Sequence, residues 1–242
     1  MLADLRAAFG LLTILPVGYS DQRPPGYSFS WFPIVGLVIG GLLALIGMWS
    51  FPTPEIRGFV LLVTWVVVTG GLHLDGFGDS CDGLLATTTP ERRLAIMGDP
   101  RTGVWAVLGL VLLLLGKWVF LQTIAAPLLL VPPVVARWAM VLPAAAFPHA
   151  HTTGLGSYFR VGLGRRQVLI ATLLVSAITL VVGWLVDWRV LFLVLLPVIT
   201  VAGFGRWASR RLGGGLTGDS YGAIGELTEL CGLVVLSLWV NG

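Results

Sequence analysis

Charge is what this chain has least of. Lys, Arg, Asp and Glu make up 11% of its 242 residues, against roughly 25% in a soluble domain, while hydrophobic residues reach 56%. Lysine is nearly missing, with Lys117 alone beside 14 arginines, a habit of genome composition. The net charge of +3 asks for no nucleic-acid partner. Cysteine is scarce too. Cys81 and Cys231 give no disulfide framework and read as small residues in packed helices. The alternating ten-residue stretches of a membrane β-barrel are missing, since runs such as Val104–Leu115 do not alternate. No internal repeat or low-complexity segment stands out. The short apolar stretch Met1–Pro16 carries Asp4 and lacks a clear small-residue cleavage site. It reads as an interfacial helix or a partial membrane entry rather than a removable signal.

What is present is a series of apolar runs near or above the ~18 residues that span a bilayer as a helix. Lipid offers the backbone no hydrogen bonds, so these runs must be helical. The expectation is an all-α, polytopic membrane protein, a single transmembrane catalytic domain over 1–242 with about seven spans, six being the alternative count. The spans fall near 32–50, 58–74, 103–121, 124–147, 168–186, 190–208 and 222–240. The fourth is interrupted by Pro127, Pro132, Pro133 and Pro143.

Alternating the loops splits the charges. One side carries Arg6, Arg23, Arg92, Arg93, Arg101, Arg160, Arg165, Arg166, Arg206, Arg210 and Arg211; the other carries Arg57, Lys117 and Arg189. Arg137 falls inside the membrane. The positive-inside rule then places the N-terminus and the loops 75–102, 148–167 and 209–221 in the cytoplasm. Seven spans also place the C-terminus outside. The localisation expected is the cell (plasma or inner) membrane, multi-pass, with the active site facing the cytoplasm.

The chemistry concentrates on that side. Asp75, Asp79 and Asp82 follow the second apolar run at spacing i, i+4, i+7, which stacks three carboxylates on one helix face. Like charges this close repel, so either some are protonated or a cation lies between them. Mg²⁺ takes oxygen ligands and binds a few carboxylates together with substrate phosphates. The bland alternative is a solvated loop with scattered acids. Asp219, Glu226 and Glu229 form a second acidic set at the start of the last span. There a carboxylate acts as metal ligand, proton acceptor or partner to an Arg, or merely complements the helix dipole. Arg101 at the start of span three suits an anion, and the alternative is ordinary positive-inside anchoring. Arg137, about 15 Å deep at helical rise, must pair with an acid or a substrate, or snorkel. His73 is a packing residue, an orienter of an Asp, or the acceptor of a proton from an attacking hydroxyl. The Gly-rich stretch 213–218 lacks a P-loop lysine; it cradles a phosphate through backbone N–H groups or is a flexible turn.

Taken together and in order, these segments resemble the cobalamin synthase (adenosylcobinamide-GDP ribazoletransferase) family. The matching residues are Leu12-Thr13-Ile14-Leu15-Pro16, Phe32-Pro33-Ile34-Val35-Gly36, Gly71-Leu72-His73-Leu74-Asp75-Gly76 through Asp82-Gly83, and Ile96-Met97-Gly98-Asp99-Pro100-Arg101-Thr102-Gly103. Arg137-Trp138, Gly154-Leu155-Gly156 and Thr217-Gly218-Asp219 with Glu226 and Glu229 complete the set, which covers about 8–232. One departure is Pro100, where the pattern has Ser between Asp and Arg. The resemblance implies a transferase of cobalamin biosynthesis. It joins the phosphate-bearing cobinamide of adenosylcobinamide-GDP to α-ribazole or its 5′-phosphate, releasing GMP. It implies Mg²⁺ as cofactor, held by Asp75, Asp79, Asp82, Asp219 and Glu229. His73 and Glu226 would be catalytic; Arg101, Arg137, Asp99 and Gly218 would bind substrate and phosphate. The partners implied are those two substrates and the lipid bilayer, without nucleic acid, and an oligomer is compatible with them.

Two rival readings make opposite demands. Asp79-x-x-Asp82-Gly83-x-x-Ala86 opens like the signature of the CDP-alcohol phosphotransferases of phospholipid synthesis. Thr87 stands where that signature needs Arg, and its later Gly-x-x-x-Asp-x-x-x-Asp half is missing. A cation-coupled transporter needs acids near mid-bilayer and paired broken helices, whereas these acids gather at one face.

Overall fold

A computed structural model of the protein describes residues 1–18, 23–150 and 158–240. Among the described residues the chain is helical, without a strand and with one isolated β-bridge, His149 to Leu216. In chain order the helices are α1 Leu2–Leu12, α2 Phe32–Gly47, α3 Pro54–Thr69, α4 Leu72–Leu85, α5 Pro90–Met97, α6 Val104–Leu121 and α7 Val131–Ala146. They continue with α8 Arg165–Leu185, α9 Leu195–Thr200, α10 Arg206–Arg211 and α11 Gly218–Val240. Short 3₁₀ turns lead into α2, α7 and α9, and a π turn joins α9 to α10. Six helices or helix runs are long and apolar enough to cross a membrane, and the count reaches seven if α3 and α4 form one bent span. At eleven residues, α1 is too short to cross.

Helix boundaries follow local chemistry. The Thr53 hydroxyl accepts the Ile56 N–H, with Pro54 in the first helical position of α3. Thr89 and Pro90 do the same for α5. At the start of α11, Thr217 and Ser220 bond reciprocally, each side chain accepting the other's backbone N–H. Three of the four prolines of the fourth span sit where no helical N–H bond is lost, Pro127 in the 3₁₀ turn and Pro132 and Pro133 in the first turn of α7. Pro143 lies inside α7 near its end and removes one bond of the last turns. That span therefore survives them.

The span expected over 58–74 ends early, at Thr69. Gly70 and Gly71 both adopt the left-handed conformation, φ 64° and 70°, which L side chains rarely take. The chain bends there by 91°. Hence the acid-bearing segment becomes a separate helix, α4, laid against α6 and α11.

Helix α7 is the central post. In its span 83% of the residues are buried, against 22% for α6 on the periphery. Gly36 and Gly40 let α2 touch it closely, since a Cβ on Gly36 would stand 2.5 Å from the Pro133 carbonyl oxygen. A small-x-x-x-small stripe is the expected way for helices to pack in lipid. The Trp138 indole N–H donates to the Thr172 hydroxyl at 3.0 Å, tying α7 to α8.

The two ends of the bundle differ. At one end Arg57 donates to the Leu121 and Ile124 carbonyls, and Arg189 pairs with Asp187 and reaches the Trp239 carbonyl. The starts of α6 and α11 and the acidic α4 share the other end. Lys117 breaks the expected charge split. It is no outer-loop charge but is 3% exposed inside the bundle, because two buried glutamates hold it there.

Candidate active site

Helices α4 and α11 cross with almost nothing between their backbones. A Cβ on Gly76 would stand 2.8 Å from the Asp219 Cα, and one on Gly222 would stand 3.3 Å from the His73 Cα. Glycine at the crossing therefore brings the carboxylates of both helices to one place. Asp79 lies within electrostatic reach of Asp75, Asp219 and Asp82, and Asp219 within reach of Asp75 and His149. Asp75 is exposed and Asp79 and Asp219 are half-buried, so this face opens to a ligand. Gly218, exposed at the head of α11, borders it.

Asp82 stands apart from its neighbours. Its carboxylate accepts the Gly103 N–H at 2.6 Å and the Ala106 N–H at 2.9 Å. It caps the N-terminus of α6 from another helix, supplying an acceptor and a charge that opposes the dipole. Among the described residues no group of three or more His, Cys, Asp or Glu side chains is arranged to hold a metal ion. Asp75, Asp79 and Asp219 nonetheless suit a hard cation. They supply oxygen donors and repel one another. Mg²⁺ characteristically takes one or two carboxylates and fills its octahedron with water and substrate phosphate.

Beside α4 runs the loop that carries Asp99 and Arg101. The Arg101 backbone N–H and Nε donate to one Asp99 oxygen at 3.0 and 2.9 Å, and Nη2 donates to the other at 2.7 Å. These bonds hold the Asp99 carboxyl well below the usual carboxylate range, the side-chain bond most of all. The Arg101 side chain is 86% exposed. An ion pair in water is worth little, so the fork can trade Asp99 for a phosphate at small cost.

A second polar group lies buried deeper. Lys117 of α6 pairs with Glu226 and Glu229 of α11, and Arg137 of α7 donates to the other oxygen of Glu229. Lys117 also sits 4.7 Å over the Trp65 ring. Two cations offset two carboxylates, so an assembly that would be costly in lipid if unpaired becomes neutral. Both Glu229 oxygens are engaged, which removes it from the acids at the crossing. Glu226 and His73, each 4% exposed, present no open face to a substrate, and His73 Nδ1 has no hydrogen-bond partner among the described residues. Arg137 pairs with an acid, one of its expected options.

The structure also adds residues that spacing did not single out. Pro148 and Ala150 bond to the backbone of Leu216, which sets His149 beside the head of α11. The His149 ring meets Tyr221 edge-on at 6.4 Å. The available signal was that all three histidines of the chain, His73, His149 and His151, stand in motif-bearing segments. The motif Gly154-Leu155-Gly156 lies outside the described residues.

Comparison with known proteins agrees with the whole length of the chain. The family model described as cobalamin-5-phosphate synthase matches residues 4–237. An adenosylcobinamide-GDP ribazoletransferase of Roseiflexus sp. (strain RS-1) is 39% identical, covering 98% of this chain and 90% of the relative. Proteins of the same name from Chlorobaculum parvum and Brevibacillus brevis are 35% and 38% identical, over 100% and 96% of this chain and 98% of each relative. No solved structure matches. Neither the family match nor these relatives supports the phospholipid-synthase or transporter readings. The chain belongs to the cobalamin-5-phosphate synthase family.

Proposed function

We propose that this protein is an adenosylcobinamide-GDP ribazoletransferase whose active site is the acidic crossing of α4 and α11. The carrying observation is that crossing: Gly76 packed on Asp219 brings Asp75, Asp79 and Asp219 together on an open face. A GDP-linked corrinoid brings a pyrophosphate, which needs cations around it. Mg²⁺ held by Asp75, Asp79 and Asp219 would neutralise charge on that pyrophosphate and polarise its phosphorus. Arg101 grips the same group with its fork in place of Asp99. A hydroxyl of the ribose on α-ribazole then forms a bond to the phosphorus nearest cobinamide. The bridging P–O bond opposite it breaks, and GMP leaves with the bridging oxygen. The hydroxyl proton passes to a carboxylate at the crossing, since His73 and Glu226 are sealed away beneath it.

Asp82, in this reading, fixes α6 and the Arg101 loop against α4. Glu226, Glu229, Lys117 and Arg137 lock α11 at the depth that presents Asp219. The arginine-rich end faces the cytoplasm of the cell membrane, where nucleotides are found. The test is GMP release by purified protein in lipid nanodiscs. Release should need adenosylcobinamide-GDP, α-ribazole or its 5′-phosphate, and Mg²⁺ together. Transfer from a CDP-alcohol donor with none from the GDP-linked corrinoid would refute the assignment.

A further inference from the structure

A cleft of ≈ 820 Å³ opens between the end of α7 and the start of α8. Ala145, Leu163 and Val168 line an apolar wall, and its charged or basic members are His149, Arg160 and Arg165. Among the described residues no carboxylate lines it. This is the reverse of the acidic crossing, yet the two adjoin. His149 lines the cleft and acts electrostatically on Asp219. Arg160 lines the cleft and acts on Tyr221, two residues further along α11, whose hydroxyl is buried without a hydrogen-bond partner among the described residues. The Arg160 guanidinium is steadied by donating to the Phe147 carbonyl at 2.9 Å.

We propose that this cleft is the acceptor subsite, taking an aromatic base carried on a phosphorylated ribose. The inference rests on the transferase reading above, which demands two substrates and leaves the acceptor without a place. The acidic crossing would hold the pyrophosphate of the donor. The cleft has the volume of a site for a drug-sized ligand, which suits a nucleoside phosphate and is far too small for a whole GDP-linked corrinoid. The base lies on the apolar wall. The phosphate meets Arg160 and Arg165, which bind such groups through their forks. The ribose then lies toward His149, next to Asp219, where its hydroxyl must be delivered. A phospholipid headgroup shares this chemistry of phosphate on an apolar body, and the experiment separates the two.

The measurement is steady-state GMP release in phosphatidylcholine nanodiscs, with α-ribazole 5′-phosphate and α-ribazole varied in turn. Two substitutions at exposed positions are compared with the parent protein. Arg165→Ala should raise KM for α-ribazole 5′-phosphate about 10- to 100-fold, the loss expected for a hydrogen bond to a charged group. KM for unphosphorylated α-ribazole should move less than twofold or so. Ala145→Trp, which fills the cleft, should raise KM for both forms, and in each variant KM for the GDP-linked corrinoid should hold. Equilibrium dialysis of α-ribazole 5′-phosphate gives the same comparison without turnover. Unchanged acceptor KM and binding in both variants, beside an active parent, would overturn the subsite and leave the transferase reading standing. An inactive parent would instead remove that reading. Loss of co-purified phosphatidylglycerol from Ala145→Trp with unaltered acceptor KM would make the cleft a lipid site and also overturn the proposal.

Discussion

Asp82 and Asp79 lie three residues apart on the same helix yet have different work. Asp82 spends both oxygens on the N-terminus of α6, whereas Asp79 faces other carboxylates. Asp82→Ala should therefore lower stability by about 0.5–2 kcal/mol, the usual cost of losing a helix cap. Thermal unfolding in detergent without Mg²⁺ would show it, and an unchanged Tm would mean that the cap contributes nothing. Arg101→Lys keeps the charge but loses the fork. KM for the GDP-linked corrinoid should rise with Tm unaltered, and an unaltered kcat/KM would take Arg101 out of the site. The i, i+4, i+7 spacing falls on a helix, as it requires. Spacing alone does not tell that Asp82 caps α6, because that depends on where residues 103 and 106 arrive from another part of the chain. Lys117 was misplaced for a related reason: a lone cation near the end of an apolar run looks like a loop residue until its buried partners on α11 are known.

Helices as whole units were readable because their cause is local. Every expected span corresponds to a helix or, over 190–208, to a continuous run of 3₁₀, α and π turns, since long apolar runs in lipid have no other way to satisfy their backbone. The bend at Gly70 and Gly71 was less visible. A Gly-Gly pair within an apolar run is tolerated in straight helices too, and the left-handed angles are set by what packs around them. Ile14 lies where a Cβ on Gly70 would go, at 2.7 Å. The buried charges act at this scale by fixing α6, α7 and α11 to one another. Lys117→Met leaves Glu226 and part of Glu229 unpaired and should destabilise by about 3–5 kcal/mol. Lys117→Met combined with Glu226→Leu should cost less than the two single changes summed, because they share one interaction. Strict additivity in a double-mutant cycle would show that the two side chains are energetically independent.

At the scale of the molecule, α4, the Arg101 loop and the start of α11 share one end of the bundle while Arg57 and Arg189 mark the other. With the native cysteines replaced by alanine, Leu85→Cys and Arg210→Cys should both react with an impermeant thiol reagent from the cytoplasmic side. Trp184→Cys should react from the opposite side. Labelling of Leu85→Cys and Arg210→Cys from different sides would separate α4 from the loop before α11 and break the site as described. The central claim is that the crossing of α4 and α11 is a metal-dependent centre for phosphoryl transfer. Its most direct test is a Mg²⁺ titration of GMP release by the parent protein and by Asp79→Asn, with Tm recorded on the same preparations without metal. The account predicts turnover lowered by at least about 100-fold, as for loss of a preorganised electrostatic group, a higher Mg²⁺ requirement, and a Tm that stays level or rises as repulsion falls. Full activity of Asp79→Asn at low Mg²⁺, or a lowered Tm with specific activity intact, would contradict it.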